Sequence, residues 1–414
     1  MSFERVVNNL IWAILYMAVF SNIERYLTRT NLSMIVVNVL EWVLFLALVV
    51  YVLRISGFIP LKILIYIFVT KVAVYAYFYH QYSFQKGIVV AILLTVFLYT
   101  NSAFGHEIQT TMKSRLWLLV LLTVLTFVPF YGWYNRYSFV MAAQGETTSR
   151  FSGLWDLPHA IGYFFLGFIT LQEEINPIYT LVLTGLIVLT GVRSALLALG
   201  IYLSMRVLLT KYFVSYDVRS RRRAFLQSLS LLLVGTVAWL TPQVKSIFLP
   251  DLIHQFKPLL QQSVTSPGYG KGRVQFIEYV LTKVKHFDIL SLIVGRSATE
   301  LYLDFKDLLG IKSWPHDDFL TALYIDGIYG LALYIYYVYL WPLRVTWGAG
   351  RFHVFAVAMA MGVLAVTNGL YTYYAMYLFL LAGAYFAWNE IVDDYMEDPS
   401  SEGLPTPRRI GDRQ

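Results

Sequence analysis

Apolar runs of about 20 residues follow one another through this chain with little polar sequence between them, and nothing else in it limits the fold as strongly. "LIWAILYMAVF", "IVVNVLEWVLFLALVVYVL" and "IVVAILLTVFLY" are early instances. A helical run of that length, rising 1.5 Å per residue, matches the roughly 30 Å hydrocarbon thickness of a bilayer. A water-soluble domain carries about 25% charged residues and has no interior for so many such runs. Here only 14% of 414 residues are charged and 58% are hydrophobic. The runs predict an all-α polytopic membrane protein with about twelve transmembrane helices. They are expected near 6–23, 32–53, 58–80, 87–104, 115–134, 158–172, 177–192, 193–210, 225–242, 317–341, 350–370 and 372–388.

Basic residues orient the spans. "RSRRR" (Arg219 to Arg223) is the densest cluster and falls in a short loop, so it is expected on the cytoplasmic side. Counting spans from it puts Arg54, Lys113, Arg115, Arg344, Arg351, Arg408 and Arg409 on the same side, with both termini. The net charge of +7 then marks cytoplasmic helix ends, not a nucleic-acid surface. The chain has no Cys, which excludes a disulfide framework and thiolate chemistry. The first apolar run lacks a small-residue cleavage site, so no cleaved leader is expected. Four regions follow: a bundle of about nine spans over 1–243, an outward loop over 244–316, about three spans over 317–388, and a tail over 389–414. The tail, ending "EDPSSEGLPTPRRIGDRQ", has too little apolar content to fold and is expected to be disordered.

In a chain with little polar room, the long loop is the natural place for chemistry. "DLIHQFKPLLQQ" has the spacing of a helix lying in the membrane interface. From Arg273 to about Phe287 a second amphipathic helix is expected, with Val274, Ile277, Val280, Leu281 and Val284 on one side. Arg273 heads it, where its guanidinium and the free first-turn N–H groups both suit an anion. Arg150, Arg193 and Arg296 also fall outside. Arginine grips phosphate oxygens with a planar fork and stays charged; the plainer alternative is that each snorkels to lipid head groups. For Arg193 the very short turn before its span points the side chain inward. His316, before Asp317 and Asp318, is placed to take a proton from a sugar hydroxyl. The plainer alternative is a helix start in which the two acids cap and His316 is incidental. No metal motif stands out, since adjacent His and Asp residues seldom converge on one ion.

Charges within the spans need partners. Glu41 and Lys71 lie at equal depth below the outer ends of adjacent antiparallel spans and are expected to pair, as a structural ion pair or a proton relay. Asp326 has no obvious mate. Gly327 and Gly330, three apart, read as close helix packing.

"GVRSALLALGIYL", "GRVQFIEYVL", "IVGRS" and "WPHDDFLTALYIDGIYGLALY" together resemble the O-antigen polymerase and ligase superfamily over residues of about 150 to 341. Asp317 stands where many relatives carry Asn. The resemblance implies a GT-C-like fold in the bacterial inner membrane with its active site on the periplasmic side. It implies a lipid-linked oligosaccharide-dependent glycosyltransferase that needs no metal or cofactor. Such an enzyme moves a glycan from an undecaprenyl-diphosphate carrier to an acceptor hydroxyl. By motif, the catalytic residues fall on His316, Arg193 and Arg273; Arg150, Arg296, Asp317 and Asp318 are the expected substrate-binding residues. The "PHDDF" form looks closer to Wzy-type polymerases of O-antigen or exopolysaccharide than to WaaL-type ligases that load lipid A core. A flippase of lipid-linked sugars is the alternative of another class, against which no inverted repeat and no pair of broken spans is visible. Expected partners are the lipid-linked donor and acceptor, membrane lipids and a chain-length regulator, with no nucleic acid.

Overall fold

A computed structural model describes residues 2–28, 30–79, 86–127, 153–155, 157–172, 176–213, 273–309, 317–346, 352–371 and 373–396. Among them every regular element is helical and no strand occurs. In chain order the helices are α1 (Phe3–Thr28), α2 (Leu32–Arg54), α3 (Ile59–Tyr79), α4 (Gly87–Thr100), α5 (Ser102–Phe127), α6 (Pro158–Thr170), α7 (Pro177–Thr190) and α8 (Arg193–Phe213). Then come α9 (Arg273–Lys285), α10 (Ile289–Val294), α11 (Ala298–Leu309), α12 (Asp318–Tyr334), a π-helical turn (Ile335–Leu340), α13 (Trp341–Thr346), α14 (Phe352–Thr367) and α15 (Ala375–Met396). Every expected apolar stretch meets one of these helices except 225–242, which lies outside the described residues. Four of them are long and apolar enough to cross a membrane: α1, α2, α5 and the composite helix from Asp318 to Val345. The outer face of α2 supports that reading. Ile35, Val39, Val43, Leu46, Val50 and Leu53 are exposed at helical spacing, a stripe that water would not tolerate and lipid would cover.

The centre of the bundle is α4. Every residue from Ile88 to Tyr99 is buried, as an all-apolar helix without a polar face must be. It is enclosed by α2, α12 and α15. At 14 residues it reaches roughly 21 Å, short of a full crossing. Its polar ends are therefore held inside the protein. Lys86, at its start, reaches Glu41 (3.1 Å), Asn38 Oδ1 (2.5 Å) and the ring of Trp42 (5.0 Å). Asn101, at its end, donates to Glu4 Oε1 (3.2 Å) and accepts from the Phe104 backbone N–H (3.0 Å).

That arrangement corrects the expected Glu41–Lys71 pair. Equal depth is satisfied by more than one neighbour, and α4 brings its N-terminal lysine closer to Glu41 than α3 brings Lys71. Tyr377 also donates to Glu41 (3.1 Å). A second difference concerns 105–114, expected as an inner loop between spans. These residues are the first turns of α5, running beside the start of α1. Asn8 donates to Thr111 (2.9 Å), Arg115 to Asn9 (2.7 Å) and Tyr16 to the carbonyl of Arg115 (2.9 Å). Paired polar faces let both helices continue where hydropathy alone suggests a loop. At the other end of the chain, α15 runs on to Met396, past residue 389 where the tail was expected to begin.

Helices α9 and α11 share a small core of Val280, Ala298 and Leu301, closed against Tyr324 and Ile325 of α12, and α10 packs on α12 beside it. The expected apolar side of α9 is narrower than its spacing suggests. Val280 is buried and Val284 packs on this core, whereas Ile277 and Leu281 are exposed.

Candidate functional site

One end of the bundle gathers the starts of α6, α8 and α12 and the turn between α14 and α15. The turn "NGLYTYY" (Asn368 to Tyr374) bends at Gly369, whose φ of 76° favours glycine. Its free backbone N–H groups are taken up by Asp318 on the first turn of α12. Asp318 Oδ2 accepts from Leu370 (2.7 Å) and Tyr371 (3.3 Å), and from the Tyr334 hydroxyl (3.4 Å). Asp318 is fully buried and its Oδ1 has no hydrogen-bond partner among the described residues. Asp317 caps α12, accepting from Leu320 N–H (2.9 Å), and burial pushes its carboxyl above the usual range. The capping role that competes with a substrate role for these two acids is thus realised by Asp317. Asp318 instead ties α12 to the turn.

From the turn the contacts run to α8. Asn368 donates to the Tyr373 hydroxyl (3.2 Å), the Tyr373 ring stands edge-on to Tyr163 of α6 at 5.1 Å, and the Tyr163 and Ser194 hydroxyls share a hydrogen bond of 2.9 Å. Ser194 is the residue after Arg193, which opens α8 immediately beyond the Gly191–Val192 turn. His159 lies beside Tyr163, with ring centroids 6.4 Å apart. The backbone of Arg193 and the carboxylates following His316 therefore belong to the same end of the bundle, linked by Tyr163, Tyr373 and Asn368. Nothing in the spacing of the chain singles out those three residues; tyrosine is too common here, at 32 residues, to carry a signal.

Arg273 is the first described residue of α9. Arg150 and His316 lie outside the described residues, as does "DLIHQFKPLLQQ". Arg296 is two turns of α12 away from Asp318, its backbone N–H donating to the carbonyl of Tyr324 (2.8 Å). Its guanidinium, half exposed, stands over the Phe287 ring (4.5 Å) and 3.9 Å from Glu300. Among the described residues no three His, Asp or Glu side chains converge as metal ligands.

Beside Arg296 the chain breaks twice. Gly295 ends α10 with φ 75° and ψ −175°, and Gly327 interrupts α12 with φ 67° and ψ −172°. Both conformations are accessible essentially to glycine alone. The two breaks face each other. A Cβ on Gly295 would strike the carbonyl of Ile325, and one on Gly327 would strike that of Ile293. The expected close helix packing at Gly327 and Gly330 is replaced at Gly327 by this backbone-to-backbone contact. Lys71 of α3 closes it, its ammonium donating to the carbonyls of Val294 (2.9 Å) and Ile325. Asp326, buried and with Oδ2 accepting no hydrogen bond among the described residues, lies within electrostatic reach of Lys71. Glu300 adds a second nearby carboxylate, itself bonded by Tyr75 (3.0 Å).

Compared with known protein families and with curated proteins, the chain matches none.

Proposed function

We propose that the protein is a polytopic membrane glycosyltransferase of GT-C-like architecture, with about twelve spans. It transfers a glycan from an undecaprenyl-diphosphate carrier to an acceptor hydroxyl, polymerising O-antigen or exopolysaccharide repeat units at the periplasmic face of the bacterial inner membrane. One observation carries the reading: the start of α8 at Arg193 and the start of α12 after His316 share one end of the bundle, joined through Tyr163, Tyr373 and the Asp318-held turn. The reaction needs fixed cations for a diphosphate leaving group and a group that orients or deprotonates the acceptor. Arg193 and Arg273 supply the first, and His316 the second. Asp318 acts through the turn it holds. The loop basic residues and the exposed apolar stripe on α2 agree with a multi-pass location.

The break of α12 at Gly327 favours a second reading, a transporter of lipid-linked sugar. Interrupted spans with buried charges line the substrate sites of many transporters. One experiment separates the readings. Purified protein in phosphatidylethanolamine–phosphatidylglycerol liposomes receives undecaprenyl-diphosphate-linked repeat units, with no ion gradient. A ladder of longer glycans on the carrier supports the polymerase. Product only with added lipid A core supports the ligase. Movement of intact donor between leaflets without new glycosidic bonds supports the transporter and removes the enzyme reading.

A further inference from the structure

We infer that α10, inside the segment that reads from sequence as an aqueous outer loop, is a re-entrant element whose apolar face lies against the acyl chains of the bilayer. The inference does not depend on the glycosyltransferase reading. Its first support is depth. The Gly295 turn touches α12 at Ile325 to Gly327, and Ile325 lies roughly 10 Å along the helix from Asp318. On the other side Val294 is held by Lys71, in the middle of α3. Contacts with α12 and with α3 thus place the end of α10 well below the start of α12.

The second support is the surface that α10 presents. Ile289, Leu290 and Ile293 share one face of α10 and are 79%, 69% and 48% exposed, and none of the six residues of α10 is buried. Lys285, His286 and Asp288, just before α10, are exposed and polar, and the apolar surface lies on its other neighbours. Val69 and Val74, which flank Lys71 on α3, and Ile328, next to the break in α12, are exposed too. The patch therefore continues the apolar outer surface of the spans, and the partner that fits it is hydrocarbon.

The third support is the backbone. Irregular chain at membrane depth must satisfy its polar groups internally. Here the Asp288 side chain caps Ser291 N–H (2.8 Å), Gly295 N–H bonds Ser291 (2.8 Å), Arg296 N–H bonds Tyr324 (2.8 Å), and Lys71 takes the Val294 carbonyl. Lys71, half-buried, and Asp326, buried, then have a defined task as the charges that permit the re-entry.

The native chain has no Cys, so single-cysteine probes need no background removal. A nitroxide at L290C, and separately at I289C, is compared with V43C on the exposed stripe of α2 and with E278C on α9, in phosphatidylethanolamine–phosphatidylglycerol vesicles. Collision with oxygen reports hydrocarbon, and collision with a water-soluble nickel chelate reports water. The expected oxygen-to-nickel ratio at residues 289 and 290 is close to that at V43C and roughly tenfold above that at E278C, as for a face sunk into the acyl region. Nickel accessibility equal to E278C at both positions overturns the inference, placing α10 in water. Low accessibility to both reagents overturns it as well, because a protein partner then covers the face.

Discussion

The ammonium of Lys71 donates to the carbonyl of Val294, 223 positions later in the chain, and in the same place to the carbonyl of Ile325. A single side chain thus joins three elements: α3, the end of α10 and the break in α12. A charge of this kind is costly in an apolar environment and persists where it satisfies groups that nothing else reaches.

Replacing Lys71 with Met should therefore lower stability by about 3 kcal/mol or more, since two carbonyls each lose a partner worth about 1–3 kcal/mol and the Asp326 carboxylate is left uncompensated. Adding Asp326→Asn to Lys71→Met should restore part of the loss; adding Glu41→Gln should restore none. Thermal unfolding in detergent reads both. Rescue by Glu41→Gln instead would return Lys71 to Glu41 and reject the assignment.

The two glycine breaks give a second outcome. Gly327→Ala and Gly295→Ala each force a side chain into a conformation that costs about 1–3 kcal/mol and into a facing carbonyl. Each should lower the unfolding temperature and the yield of monodisperse protein. Gly185→Ala is the control, because its Cβ would meet open space, and it should be neutral or slightly stabilising within a helix. An unchanged unfolding temperature for Gly327→Ala would mean that α12 runs straight.

Glu41 and Lys86 should show strong coupling in a double-mutant cycle. Lys86 is 7% exposed, and removing its charge strands Glu41, so Lys86→Met should cost about 3 kcal/mol. The pair Glu41→Gln with Lys86→Met should cost clearly less than the sum of the singles. Strict additivity would reduce the contact at 3.1 Å to coincidence.

What was legible in the sequence divides along physical lines. The all-apolar run of α4 announces a helix buried on every side, and Asp317 before an apolar run announces a helix start; both are local patterns. Depth was legible for Glu41 and Lys71 alone, which counting from helix ends puts in one layer. Which neighbour shares a layer was not, because α4 ends short of a full crossing and draws Lys86 inward. The partners of Lys71 had no signature at all: two of them are backbone carbonyls, freed by glycines whose spacing also fits ordinary helix packing. Tyr163 and Tyr373 stayed hidden because only the tertiary contact with Ser194 and the Asp318-held turn distinguishes them from the other tyrosines.

The last prediction concerns chemistry at the end of the bundle where α8 and α12 begin. If Arg193 and Arg273 hold a diphosphate, Lys at either position keeps the charge but loses the two-pronged grip, and turnover should fall strongly with yield and unfolding temperature unchanged. His316→Ala should lose about a hundred- to ten-thousand-fold in transfer, the usual cost of removing a general base, while still retaining the lipid-linked donor. Asp318 should behave differently, because its carboxylate holds Leu370 and Tyr371. Asp318→Ala frees two backbone N–H groups and should lower stability and turnover together, whereas Asp318→Asn keeps one acceptor oxygen and should keep part of both. Transfer and unfolding temperature measured side by side for these variants separate the roles. A fully active His316→Ala, with Asp318→Asn inactive yet as stable as the parent, would move the proton-accepting role from His316 to Asp318.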